Sequence, residues 1–249
     1  EYGWDTTVTV QNLSGTTNAK VKVYFYDHTG GIIATAVDWI CPRGSQDFKL
    51  SAINNLPGQY VGAVEVQSQQ WWTPGETPVQ PPYIMSVIQL SNKTNGQAVA
   101  YNAVTGGSAA LTIPLAVKEK KITTGDKTIT WNAEIALKNL NANPGNTTVR
   151  IDFYDQNGYI TSVCQTLNEK FIDYIRLVDM GILPNGFNGS AVITATCSDQ
   201  EGGPMLAATV LERGRLEGSP NIPQDLLKAY EAAPIHQAWY NPPLAPDAC

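Results

Sequence analysis

The sequence predicts an all-β protein, two tandem Ig-like antiparallel β-sandwich domains followed by a short helix and an extended Pro-rich C-terminal tail. Three observations predict it. Blocks of the first half recur in the second, their apolar residues alternate with polar ones, and turn residues separate them at short intervals.

The repeat is read block by block. Trp4-Asp-Thr-Thr-Val-Thr-Val-Gln-Asn-Leu13 matches Trp131-Asn-Ala-Glu-Ile-Ala-Leu-Lys-Asn-Leu140, an offset of 127 residues. Val21-Lys-Val-Tyr-Phe-Tyr-Asp27 matches Val149-Arg-Ile-Asp-Phe-Tyr-Asp155 after a loop one residue longer in the second copy. Leu56-Pro-Gly-Gln-Tyr-Val-Gly62 then matches Leu183-Pro-Asn-Gly-Phe-Asn-Gly189. Val8 and Val10, like Ile135 and Leu137, have the period-2 spacing of a half-buried strand. Val21, Val23 and Phe25 repeat that spacing, and a turn-rich loop makes each pair of strands a hairpin. Asp27-His-Thr-Gly and Asp155-Gln-Asn-Gly read as the next turn. Too few carboxylates follow Asp155 for a calcium loop.

Further strands are predicted at 61–67, 83–90, 97–103 and 111–117, and in the second copy at 191–196 and 205–211. The polar stretch 118–128 reads as a linker. Residues 223–233 read as the short helix, with Pro223 near its first turn and Pro234 ending it. The expected domains are therefore 1–118, 119–216, and a helix plus tail over 217–249.

These blocks resemble a repeat module of large extracellular proteins of Chloroflexi-type filamentous bacteria. The likeness is carried by Pro114-Leu-Ala-Val-Lys118, Trp4 with Val10-Gln-Asn12, Phe25-Tyr-Asp27, and the block from Leu183 to Gly189. It implies a secreted or cell-surface location and a structural or adhesive role, and it brings no catalytic residues.

Composition excludes several classes. Charged residues are 15% of the chain, the net charge is −6, and the one basic cluster (Lys118, Lys120, Lys121) encloses Glu119, so no nucleic-acid footprint is expected. No apolar run reaches the length of a membrane helix. His28 and His236 lie in no recognisable catalytic motif, no cysteine pair has zinc spacing, and no phosphate-binding glycine loop is present. No enzyme activity, metal or cofactor is expected. Four Asn-x-Ser/Thr triplets, at Asn12, Asn92, Asn146 and Asn188, suggest surface loops.

Cys41, Cys164, Cys197 and Cys249 make an even set, which in a β-rich, Thr/Asn-rich chain favours disulfides and an oxidising compartment. Cys164 with Cys197 would staple the second domain and leave Cys41 with Cys249, within one chain or between two. Four cysteines allow three connectivities, and the sequence does not choose.

The copies differ in three places. A Pro-rich loop over 67–82 carries Trp71 and Trp72, with Tyr83 beside it. It suits a glycan or protein contact, and equally a flap over the end of its own sandwich. The apolar strand 111–117 precedes the second copy, whereas Glu1-Tyr-Gly precedes Trp4. If 111–117 pairs with the second domain, the first has an open edge; if it closes the first, there is none. The tail 238–249 carries Trp239, Tyr240, Leu244 and Cys249, and is expected to dock on the first domain of a neighbouring copy. The expected function is thus a non-enzymatic extracellular structural protein, a subunit of a surface filament or layer whose partners are copies of itself. The alternative is a surface adhesion module that binds carbohydrate, or other surface proteins, through Trp71 and Trp72.

Overall fold

The computed structural model describes residues 4–58, 60–69, 80–93, 96–104, 106–140, 146–168, 172–198 (without the side chains of 196–198), 205–218 and 226–235. The chain is all-β and divides into two compact units, Glu1–Ala103 and Val104–Cys249. Unit 1 contains β1 (Trp4–Asn12), β2 (Ala19–Tyr26), β3 (Ile32–Ile40), β4 (Ser45–Lys49), β5 (Ala63–Gln69), β6 (Ile84–Asn92) and β7 (Gln97–Asn102). Its strands form two antiparallel sheets, ordered β4-β1-β6-β7 and β3-β2-β5. Unit 2 contains β8 (Ala110–Val117), β9 (Lys120–Thr124), β10 (Lys127–Asn139), β11 (Thr147–Asp155), β12 (Gly158–Leu167), β13 (Ile172–Arg176), β14 (Asn188–Ser198), β15 (Leu206–Leu216), β16 (Leu226–Glu231) and β17 (Ala233–Pro234). Its sheets run β13-β10-β15-β16, with β9 also on β10, and β12-β11-β14-β8-β17.

The sequence repeat is a structural repeat. β1 through β7 reproduce the order of β10 through β16, each with a one-turn 3-10 helix after the fourth strand (Leu50–Ala52, Leu177–Asp179). In each unit one apolar cluster draws on both sheets. Val8 and Val10 of β1 join Val21, Val23 and Phe25 of β2, and Ile135 and Leu137 of β10 join Val149, Ile151 and Phe153 of β11. These are the alternating residues of the shared blocks, so period-2 patterning places the core.

The other shared residues have local structural tasks. Asn12 is fully buried: its Nδ2 donates to the carbonyls of Thr17 (2.8 Å), Ile40 (3.0 Å) and Cys41 (3.2 Å), and its Oδ1 accepts from the N–H of Ser14 (2.9 Å). Asn139, its counterpart, is equally buried and donates to Thr147 Oγ1 at 3.2 Å. A buried amide that satisfies several carbonyls ties the hairpin loop to the neighbouring chain. Phe25 meets Tyr60 edge-on, and Phe153 meets Phe187 in the same way. The Asp27 carboxylate accepts from the Thr29 N–H, the Thr29 hydroxyl and the Gly31 N–H, bonds that hold it below the ordinary carboxylate range. Asp155 accepts from the Asn157 N–H, so both aspartates build turns.

Four expectations change. Residues 226–233 do not form a helix: 226–231 is β16, paired to β15, while 219–225 lie outside the described residues. Tertiary bonding overrides local helix propensity here. Lys228 lies 4.2 Å over the Trp131 ring and 3.6 Å from buried Glu212, and the Tyr230 hydroxyl donates to the Leu115 carbonyl and to Glu212. The stretch 118–128 is not a linker but mostly the β9–β10 hairpin, turning at Gly125 with φ +63°. Asn12 and Asn92 are buried, so those two triplets do not mark surface loops, whereas Asn146 and Asn188 are exposed. Finally, 111–117 belongs to unit 2, as β8 on β14.

Gly62 and Gly189 end the third shared block for the same reason. A Cβ on either would lie 1.9 Å from a carbonyl oxygen, that of Tyr26 or Tyr154. Gly62→Ala and Gly189→Ala should each lower the stability of their unit by about 3 kcal/mol in urea melts. Gly58→Ala and Gly181→Ala, with open space around the new methyl, should change it by less than about 1 kcal/mol.

Candidate functional site

The site is the place where the two copies differ. In unit 2, β14 lies between β11 and β8. Ile113 of β8 stands opposite Ala191 and Leu111 opposite Ile193, and all four side chains are buried. In unit 1 the counterpart of β14 is β5, where Val64 pairs with Phe25 and Val66 with Val23, as Ala191 pairs with Phe153 and Ile193 with Ile151. Among the described residues β5 pairs with β2 alone, so its other edge has no ladder. Val64 and Val66 are half-buried, although they face the core side. Val61, just ahead of β5, is 64% exposed. An apolar, unpaired edge of this kind is a template for another strand.

The surroundings of β8 show what else a strand meets there. Lys118, directly after β8, is buried. Its Nζ donates to the carbonyls of Met180 (2.7 Å) and Leu183 (2.8 Å), and its N–H to the carbonyl of Phe187 (3.0 Å). Unit 1 builds the same loop: Leu56 N–H donates to Ile53 O and Ile53 N–H to Leu50 O, as Leu183 N–H donates to Met180 O and Met180 N–H to Leu177 O. Ile53, Leu56 and Tyr60 thus stand where Met180, Leu183 and Phe187 stand. On the opposite sheet, Tyr230 pairs with Val210 of β15 and its hydroxyl donates to the β8 carbonyl of Leu115. Tyr101 occupies that position in unit 1, opposite Ile88 of β6. Burial pushes the Tyr101 phenol up to about 12.

The residues singled out from sequence fall unevenly. Tyr83 is 87% exposed, and its carbonyl accepts from the Leu13 N–H. Trp71, Trp72, Trp239, Tyr240, Leu244 and Cys249 lie outside the described residues. Cys164 is disulfide-bonded, the side chain of Cys197 lies outside the described residues, and Cys41 is free and exposed. The outer face of β3-β2-β5, unmarked by any repeat block, carries half-exposed Trp39 with Lys20 5.9 Å over its ring, and Lys22 4.6 Å over Tyr24. Cross-strand register alone could have found it, since Trp39 pairs with Lys20. In unit 2 a shallow groove is lined by Glu119, Thr130, Asn132, Arg215, Leu216, Glu217 and Gly218. There Lys121 and the Thr130 hydroxyl both donate to Glu217, which lowers its carboxyl.

No protein-family model and no curated protein matches this sequence. Among the described residues no group of three His, Cys, Asp or Glu is placed to hold a metal ion, and no helix is long and apolar enough to cross a membrane.

The difference between the two edges is measurable in the single chain. Ile193→Asp, which puts a carboxylate under β8, should cost unit 2 about 4 kcal/mol or more. Val66→Asp, at the same register on the uncovered edge, should cost unit 1 about 1–2 kcal/mol, because water reaches the new charge. Chemical denaturation with one probe in each unit reads both.

Proposed function

We propose that this chain is a non-enzymatic structural protein of the cell exterior, a subunit of a surface filament or layer, in which Ig-like antiparallel sandwiches act as the scaffold. One observation carries the reading: the same module occurs twice, closed by β8 in unit 2 and, among the described residues, left with an apolar edge at β5 in unit 1 that no strand pairs. Inequivalent ends of that kind suit head-to-tail association, which propagates rather than closing on itself. The resemblance of the blocks to extracellular Chloroflexi-type repeats supports the same location and role. Copies associate through the tail, residues 238–249, docked on unit 1 of the next copy. Exposed, free Cys41 of that next copy is the partner of the docked tail's Cys249.

Removing residues 238–249 should convert assembled material into monomer in sedimentation. Non-reducing electrophoresis of the full chain should show a ladder that collapses with reductant and with Cys41→Ser. A clean monomer that assembles neither before nor after oxidation contradicts the reading.

A second reading, glycan adhesion, draws on Tyr83 beside the Trp71-Trp72 loop and on the Trp39 and Tyr24 face of β3-β2-β5. Glycan binding by a monomer, lost with Trp71→Ala and Trp72→Ala, would favour it.

A further inference from the structure

We infer that the β5 edge of unit 1 is an acceptor site for a strand of β8 chemistry carried by another module of this kind. The inference rests on the structural reading above, but it requires neither the tail nor a disulfide.

Unit 2 shows the occupied state of the same site. There the strand contributes two large apolar side chains two residues apart, Leu111 and Ile113, then Ala116 and Val117, all buried, and then the buried lysine Lys118. Each of these has a counterpart surface waiting in unit 1. The register of β8 on β14, transferred through the repeat, sets the incoming isoleucine opposite Val64 and the incoming leucine opposite Val66. The alanine and valine fall opposite Gly62 and Val61. The lysine reaches the carbonyls of Ile53 and Leu56, which share the local bonding of Met180 and Leu183. A carbonyl one residue after the strand's proline, that of Leu115 in β8, meets the hydroxyl of Tyr230; in unit 1 the donor is Tyr101.

Three groups therefore select the occupant. The ladder edge of β5 demands an extended backbone with free N–H groups. The half-buried Val64 and Val66 demand apolar side chains at alternate positions. The paired carbonyls of Ile53 and Leu56 demand a cation at the strand's end, since an ammonium there makes two charge-assisted bonds and a carboxylate makes none.

The test uses the full chain and a labelled synthetic peptide of residues 109–119. We expect saturable 1:1 binding with slowed exchange of the β5 amides and no slowing in β14. A peptide carrying Lys118→Ala should bind about tenfold more weakly. A peptide with Leu111→Asp and Ile113→Asp should not bind. In the protein, Tyr101→Phe should weaken binding with its melting midpoint unchanged. Absence of binding overturns the inference, as does equal binding of a scrambled peptide. It is also overturned if binding appears only after residues 236–249 are removed, since the chain then closes the edge itself. Assembly of the full chain without peptide binding would leave the head-to-tail reading standing and this inference refuted, so the two fail separately.

Discussion

The packing of β8 on β14 is the interaction on which the rest of the structure turns. A sheet edge with an apolar inner face needs a neighbour for two reasons at once: its backbone groups need ladder partners, and its inward side chains need cover from water. In unit 2 one strand does both. Leu111 and Ile113 bury Ile193 and Ala191, Lys118 satisfies two loop carbonyls, and Leu115 receives the Tyr230 hydroxyl from the opposite sheet. β8 therefore bonds to groups from both sheets. Unit 1 contains the receiving groups of that arrangement, while its described residues contain no strand equivalent to β8.

The residues that the two copies share have structural tasks. Asn12 and Asn139 tether loops, Phe25 with Tyr60 and Phe153 with Phe187 fill the core end, and Gly62 and Gly189 make room for a carbonyl. Shared residues hold the scaffold, and the edges of β5 and β14 are where the two units differ among the described residues.

Much of this was legible in the sequence because it is local. Alternation of Val21, Val23 and Phe25 with lysines and tyrosine identifies β2, and the constant offset between blocks identifies the second unit. What escaped depends on partners distant in sequence. Residues 226–231 combine helix-forming Leu, Lys, Ala and Glu, yet they pair with β15, where Lys228 finds Trp131 and Glu212. The β9–β10 hairpin carries polar residues at its tip, so no periodicity reveals it. The affiliation of β8 is a question of which edge it covers, and an apolar strand fits either. Tyr101 and the carbonyls of Ile53 and Leu56 carry no motif and are marked only by their correspondence to Tyr230, Met180 and Leu183 of unit 2.

Native-state hydrogen exchange on the isolated monomer, resolved to single amides, tests the central claim most directly. Amides of β14 should exchange with the global unfolding of unit 2, while those of β5 on the side away from β2 should exchange about a hundredfold faster or more, at near-unprotected rates. Equal protection on the two strands would mean that the β5 edge is covered in the single chain, and would contradict the account.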